Sequence, residues 1–375
     1  MFRVGLISIH PAPYRDPVLR LVHERGRVEL HVHTMFRRDS GHPYWRAGEL
    51  PYPNQWAGRG FRVWGSAYLH PGVLAALLQG RYDVVVIPGY HHATTAAAIA
   101  CCIATGTPYV LGIDTMPRAA PRGDARDDVV RFFLSGAGAV WCAGGASRQY
   151  ARTMEVPDER LFEGMYALDV ARIDQLLEPH RARRAELRRQ LGLSDETFTF
   201  LWTGQVLHWR RVDLIVRAFG EVQSGRKPAA LLLLGDGPAR RELEDLAARV
   251  APRGVSFLPP TPFEEFAAYY AAADAYVCAR ETYSLGLAQA AIASLPVVAT
   301  DAVGAAADYV IDGRSGFVVP FEEPGALGYA MGRLCGDDSL AAGMGEEGRR
   351  IASARSVLWA AEQLESAIER AGGRL

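Results

Sequence analysis

Lysine is almost missing from this chain. Lys227 is its only one, so arginine carries nearly all of the positive charge, a skew that GC-rich coding explains without any functional demand. A charge excess is missing as well. The formal net charge is -1 over 375 residues, which leaves no broad electrostatic footprint for nucleic acid or an anionic membrane. Any handling of phosphate must then be local. Paired cysteines are missing too: Cys101, Cys102, Cys142, Cys278 and Cys335 sit in apolar stretches without a Cys-x-x-Cys spacing. That pattern excludes a zinc ribbon, argues against a disulfide framework and predicts a reducing, cytoplasmic setting. No charged-then-apolar leader precedes the strand pattern at Phe2–Ile9, and no apolar stretch reaches transmembrane length without a charge or a breaker.

What is present is an alternation of short β-branched runs with longer amphipathic segments, the pattern of βαβ units on a parallel sheet. The first half predicts strands near Val4–Ser8, Val28–His33, Val84–Pro88, Tyr109–Ile113 and Ala139–Cys142. Helices fall between them at Arg15–Glu24, Pro71–Leu78, Thr94–Ala104, Asp124–Ser135 and Ser147–Thr153. A second series follows the charged stretch around His180–Gln190. Its strands are Thr199–Thr203, Ala230–Leu234, Val255–Leu258, Ala275–Cys278 and Pro296–Ala299. Its helices are Val212–Val222, Ala239–Arg249, Phe263–Ala272, Leu285–Ala293 and Pro324–Leu334. The expected fold class is α/β: two Rossmann-like, doubly wound parallel-sheet domains facing a cleft. Residues 1–168 form the first, acceptor-binding domain and 169–354 the second, donor-binding domain, with a terminal helix in 355–375 packing back on the first.

In such sheets ligands bind beyond the carboxyl ends of the strands, where helix N-termini point. In the second domain Thr203-Gly204-Gln205 ends the first strand, and Arg210-Arg211 stands just before a helix. The helix dipole disfavours positive charge there unless an anion is present, which favours Arg210 as a phosphate ligand over a solvated helix start. Leu234-Gly235-Asp236-Gly237-Pro238 reads as a tight turn with Asp236 as cap and Pro238 at the first helical position, its glycines leaving room for a nucleoside. Leu258-Pro259-Pro260-Thr261 is the opposite lip of that pocket. In the stretch Arg280-Glu281-Thr282-Tyr283-Ser284-Leu285-Gly286, Glu281 is placed to accept from sugar hydroxyls. Ser284 is expected to cap a helix that carries Gln289 one turn in, within reach of a ribose.

In the first domain His10 closes the first strand, Tyr90-His91-His92 the third and Asp114-Thr115 the fourth. Asp114 is either a base or orienter for an acceptor hydroxyl, or the cap of a turn. His91 and His92 stand evenly between catalysis and structure. The segment Gly41–Gly65 places Trp45, Trp56 and Trp64 among prolines and glycines. Those tryptophans either anchor a loop or form an acceptor surface.

At these residues the second domain resembles the nucleotide-sugar domain of the family 4 (group 1) glycosyltransferases of the GT-B fold. Four segments carry the likeness, in order. They are Thr203–Val206 with Arg210–Leu214, Leu234–Pro238, Tyr270–Asp274 with Arg280–Thr282, and Leu295–Asp301 with Asp312–Phe317. The first domain matches more loosely, through Pro11-Ala12-Pro13-Tyr14-Arg15 and Tyr166-Ala167-Leu168-Asp169. The resemblance implies a retaining transfer from a nucleoside diphosphate sugar, UDP-linked by preference, with no metal and no other cofactor. It implies that Arg210 and the amides near Leu285 and Gly286 contact the diphosphate, that Glu281 holds a sugar hydroxyl, and that Asp114 lies on the acceptor side. Gly204, Gln205, Gly235, Leu258, Tyr283, Ser284 and Gln289 complete the donor side, His10, Tyr14, Trp45, Tyr90 and His92 the acceptor side, and Asp114, His91 and Glu281 are the expected catalytic residues. Three positions depart from the pattern. Gln205 stands for Arg, Gln289 for Glu and Ser284 for Gly, so one charge of each sign is lost and a donor pocket altered rather than abolished is expected.

A small natural product or sugar-cyclitol acceptor and a cell-envelope saccharide both fit this reading. A non-catalytic nucleotide-sugar-binding protein on the same fold is the alternative that Gln205 and Gln289 keep open. A sugar epimerase needs an acid and a base poised over the ring, and no convincing pair stands out.

Overall fold

Strands form here where four to seven apolar, largely β-branched or leucine residues run without a break, and burial on both faces keeps them in parallel sheets. The computed structural model describes every residue except 1, 13, 38–49, 51, 65–66, 118–124, 224, 226, 263, 322, 324 and 374–375. The chain divides into one compact unit of Met1–Leu168 with Arg355–Leu375, and another of Asp169–Ala354.

In the first unit the strands are β1 (Phe2–Ser8), β2 (Val28–Thr34), β3 (Asn54–Trp56), β4 (Phe61–Trp64), β5 (Ala67–Leu69), β6 (Val84–Ile87), β7 (Tyr109–Ile113), β8 (Ala139–Cys142) and β9 (Leu161–Phe162). Seven of them pair in parallel in the order β3-β2-β1-β6-β7-β8-β9, while β4 and β5 form a separate antiparallel pair. Register is set from the start: Val4 on β1 faces Leu30 on β2 and Val84 on β6. The order reverses between β1 and β6, so the carboxyl ends of those two strands bound the crevice where a ligand fits. Ile7, Val85, Ile87, Leu111 and Val140 fill the core beneath. The helix Val357–Gly372, capped by Ser356, packs on the helix Asp16–Arg25 and on β6, β7, β8 and β9 of this same unit.

The second unit contains β10 (Phe198–Thr203), β11 (Ala229–Leu234), β12 (Val255–Leu258), β13 (Ala275–Cys278), β14 (Val297–Thr300) and β15 (Gly316–Val319). All pairs are parallel, in the order β12-β11-β10-β13-β14-β15. This is the doubly wound order, with its reversal between β10 and β13. The helices Val212–Val222, Arg240–Val250 and Ala326–Gly336 pack together in one layer. Ala267–Ala272 and Leu285–Ile292 pack with Val170–Arg181 in another. Phe200, Trp202, Ile215, Phe219, Leu231 and Val277 are fully or almost fully buried between sheet and helix. At ~25 cal/mol per Å² of apolar surface removed from water, rings of this size dominate the unit's stability.

The charged stretch around His180–Gln190 is helical, split between Val170–Arg181 and Arg184–Gln190. It folds because its arginines are used. Arg188, 2% exposed, donates to the Ala272, Ser194 and Thr197 carbonyls and to Asp274, and Arg184 pairs with the same carboxylate at 2.6 Å. Asp169 caps the first of these helices by accepting from the Arg172 amide at 3.0 Å.

Candidate functional site

The reversal point of the second sheet collects most of the donor-side residues. β10 ends at Thr203, and Gly204 follows at φ +154°. A Cβ on Gly204 would lie 2.5 Å from Nη1 of Arg210, so the glycine makes the space in which that guanidinium rests. Arg210 ends a short 3-10 turn, His208–Arg210, and Arg211 follows in the left-handed region at φ +53°. Arg211 is tied back by two bonds to Asp213, at 2.9 and 3.1 Å, which leaves Arg210 as the residue turned to the strand end. There Nη1 of Arg210 meets Oε2 of Glu281 at 3.0 Å, with the two side chains 14% and 16% exposed. The Arg210 Nε is buried without a hydrogen-bond acceptor among the described residues. Trp209 lies under the guanidinium at 5.3 Å and is itself 43% exposed.

Glu281 is held from the backbone on both sides. Its amide donates to the Ala302 carbonyl at 3.1 Å, its carbonyl accepts from Gly304, and Oε1 accepts from the Thr282 amide. Ser284 follows at φ +97° and caps the helix Leu285–Ile292, its hydroxyl accepting from the Leu287 amide at 3.2 Å. The left-handed conformation explains why a glycine suits this place and why serine there carries strain. Gly286 packs directly on β10, since a Cβ there would lie 2.4 Å from Thr203 Oγ1 and 2.3 Å from Tyr276 Oη. The first turn of this helix, Glu281, Gly204 and Arg210 therefore meet at one strand end. A helix start with free N–H groups beside a guanidinium is suited to an anion.

Gln289 reaches the same cluster from inside the helix. Its Oε1 accepts from the hydroxyl of buried Tyr270 at 3.0 Å, and Tyr270 in turn bonds Thr203 Oγ1 at 3.0 Å. Tyr276 stacks on Tyr270 at 6.1 Å and bonds the same threonine at 3.3 Å. Burial pushes the ionisation of both phenols far up, so they serve here as neutral hydroxyls. Sequence reading missed this network because tyrosines in apolar runs look like plain core.

Other donor-side residues lie apart or turn inward. Tyr283 is 6% exposed, and its hydroxyl is turned toward that of Tyr309 at 3.5 Å. Gly235, at φ +151°, packs on the neighbouring strand end: a Cβ there would sit 1.8 Å from the Gly204 carbonyl oxygen. Asp236 does not cap the following helix, which begins at Arg240 after Ala239; its Oδ1 takes the neighbouring Gly237 amide instead. Leu258 ends the outermost strand, β12, and accepts the Gly235 amide at 3.0 Å. Gln205 stands directly between Gly204 and Val206 in the loop that is pinned to Asp236 by the Val206 amide.

In the first unit the residues after β1, β6 and β7 gather likewise. His10 Nδ1 lies 3.0 Å from the Pro11 carbonyl, and Ser8 Oγ donates to the His10 carbonyl. Tyr14 is 7% exposed and meets Tyr166 edge-on at 4.8 Å. Asp114 accepts from Tyr166 at 3.0 Å through Oδ2 and caps no helix. Tyr90 bonds Thr115 at 3.1 Å and packs on His91 at 4.3 Å. His92 stands at the N-cap of the helix Ala93–Thr105, and burial, with help from His91 and His70, lowers its pKa and keeps it neutral. Trp45 lies outside the described residues. Trp56 is on β3 under the Arg37 guanidinium at 4.9 Å, an anchored position. Among the described residues no three His, Cys, Asp or Glu side chains gather as a metal ion would require, and no helix is long and apolar enough to cross a membrane.

Residues 197–337, which contain the whole of the Arg210–Glu281 cluster, match the profile of the glycosyl transferases group 1. The second unit of this chain thus carries the glycosyl transferases group 1 domain, and the chain has the GT-B fold. It is 28% identical over 355 residues to a D-inositol 3-phosphate glycosyltransferase of Streptomyces avermitilis, covering 88% of this chain and 72% of that one. It is 30% identical over 184 residues to a GDP-mannose-dependent alpha-(1-6)-phosphatidylinositol monomannoside mannosyltransferase of Mycolicibacterium smegmatis, covering 46% and 48% of the two chains. Its fold matches that of Anabaena Alr3699/HepE in complex with UDP, at a TM-score of 0.72 and 17% identity over 97% and 98% of the chains. It also matches WaaG, a glycosyltransferase involved in lipopolysaccharide biosynthesis, at 0.68 and 18% over 97% and 99%. As a glycosyltransferase carrying this domain the enzyme draws on a nucleotide-sugar donor.

Proposed function

We propose that the enzyme moves a sugar from a UDP-sugar to a hydroxyl of a small polyol or cyclitol acceptor, with retention at the anomeric carbon and no metal. The carrying observation is the meeting of Arg210, Glu281 and the Ser284-capped helix at the reversal point of the second sheet. Arg210 and the amides of Leu285 and Gly286 take the charge of the leaving diphosphate, which is the largest electrostatic demand of the step. Glu281 then accepts from a donor-sugar hydroxyl. As the bond from the anomeric carbon to the diphosphate oxygen breaks, the acceptor oxygen bonds to that carbon on the same face. The acceptor proton passes to the departing phosphate oxygen. Asp114 accepts from an acceptor hydroxyl and orients it.

The cyclitol reading draws on the relatives named for D-inositol 3-phosphate, and the UDP reading on the Anabaena complexes with UDP and UDP-glucose. GDP-mannose is the second donor to consider, because the Mycolicibacterium relative is named for it. The neutral pair Gln205 and Gln289 supports instead a protein that binds nucleotide sugars without transfer. One experiment separates these readings. The full chain is incubated with UDP-glucose, UDP-N-acetylglucosamine or GDP-mannose, with and without D-inositol 3-phosphate, and nucleoside diphosphate release and product are followed. Acceptor-dependent release with a UDP-sugar supports the proposal, release with GDP-mannose alone moves the donor, and tight UDP binding with neither transfer nor hydrolysis supports the binding protein.

A further inference from the structure

Asp114 follows β7, Tyr166 lies between β9 and Asp169, and Tyr14 and Arg15 come from the loop after β1, yet the four side chains converge. Tyr166 Oη donates to Asp114 Oδ2 at 3.0 Å, and among the described residues that carboxylate accepts from Tyr166 alone. The phenol is itself fixed. Tyr14 packs edge-on against it at 4.8 Å, and the Arg15 guanidinium, 4% exposed, sits 5.9 Å from the Tyr14 ring while donating to Ser8 Oγ at 2.9 Å and to the His10 carbonyl. On the open side Thr115 continues the loop and is tied to Tyr90.

An ionised carboxylate offers about four lone-pair sites on two oxygens. Held by one oxygen, it swings about its χ2 axis unless the donor is rigid. A ring locked by a second ring supplies that rigidity, where a serine or water would not. Loss of water around Tyr166 raises its pKa, Asp114 and Tyr14 add to this and Arg15 opposes it, so the phenol keeps its proton and acts toward the carboxylate as a donor.

We propose that Tyr166 is a positioning residue for Asp114: it engages Oδ2, fixes the carboxylate plane, and presents Oδ1 to a hydroxyl of the acceptor. The inference rests on the reading of Asp114 given under the proposed function. It adds a second position, in the segment Tyr166-Ala167-Leu168-Asp169, whose residue type matters to acceptor use. It also identifies the groups that set the local field, namely Tyr14 and Arg15 from one loop and Tyr90 with Thr115 from two others.

The test needs no known substrate for its first part. In the full chain labelled with ¹³C at aspartate carboxyls, the Asp114 signal is assigned as the one lost in Asp114→Asn. Losing the Tyr166 donor changes the surroundings of the carboxyl carbon, so Tyr166→Phe is expected to displace the Asp114 signal at a fixed neutral pH. An undisplaced signal overturns the proposal. The second part follows nucleoside diphosphate release from UDP-glucose with D-inositol 3-phosphate as acceptor probe, and UDP affinity by calorimetry. Tyr166→Phe is expected to lower kcat about tenfold, a loss near 1.4 kcal/mol of barrier, with UDP affinity unchanged and no further effect in the Asp114→Asn background. Full turnover in Tyr166→Phe beside a crippled Asp114→Asn overturns the role of Tyr166 alone. Full turnover in Asp114→Asn overturns the reading of Asp114 on which it rests.

Discussion

Nη1 of Arg210 lies 3.0 Å from Oε2 of Glu281, a contact between the loops that follow neighbouring strands on either side of the sheet reversal. Each partner is largely enclosed, so each is costly to leave unpaired. Replacing Arg210 with alanine should weaken UDP binding by roughly 1.5–3 kcal/mol, the span for a hydrogen bond to a charged group. Calorimetric titration reads this directly, and equal affinities in the two proteins would remove Arg210 from the nucleotide site.

Two glycines in adjacent loops should fail in different ways. Gly204→Ala places a methyl 2.5 Å from the Arg210 guanidinium, a mobile neighbour, so the side chain is displaced and UDP affinity falls more than stability does. Gly235→Ala places one 1.8 Å from a carbonyl oxygen, where the backbone itself must move. Its cost falls on folding, on the order of 1–3 kcal/mol or more. Urea unfolding and UDP titration of both variants would show the contrast, and a reversed ranking would contradict these contacts.

Ser284 holds its helix from a left-handed conformation, so its two small replacements should diverge. Ser284→Ala loses the hydroxyl that accepts from Leu287 and keeps the strain, for a loss of about 1 kcal/mol. Ser284→Gly loses the same bond but relieves φ +97°, so it should unfold at higher urea than the alanine variant. Equal midpoints would mean that the conformation carries no cost.

His33 gives a pH signature in the first unit. It is buried against Tyr82, its Nε2 2.8 Å from that hydroxyl, and burial, with His31 adding, lowers its pKa from 6.5 to about 4. The folded state therefore binds its proton later than the unfolded chain does as pH falls. Stability from this group is complete above 6.5, declines below it and is lost as pH passes about 4. Unfolding of wild type and His33→Phe at pH 7 and pH 4.5 tests this. The wild type should lose on the order of 2 kcal/mol more than the variant across that interval.

Much of the architecture was legible because buried parallel strands write unbroken apolar runs, and Val84–Ile87 or Ala229–Leu234 can be little else. Three edge strands were not. Leu161–Phe162 is two residues long, Asn54–Trp56 is half polar, and Gly316–Val319 was read only as a motif, because an edge has one neighbour and needs less apolar surface. Helix Asp338–Ala354 escaped notice since glycines at 343, 345 and 348 break its propensity; Gly345 is there to let the helix lie against the Ser294 carbonyl. At the site, residue types at strand ends pointed to Arg210, Glu281 and Ser284, whose chemistry shows in the side chain itself. What Gln289 or Asp114 touches depends on Tyr270 and Tyr166, far off in sequence, and no local pattern announces that.

The helix Val357–Gly372 lies on the unit that contains residues 2–168, although 186 residues of the other unit intervene. Synthesis from the N-terminus thus begins one unit, completes the other, and only then delivers the helix that covers β6 to β9. Until it arrives, the apolar surface of the first unit on which Leu364 and Ile368 will be buried stays bare, and the half-finished sheet is the species a chaperone would meet.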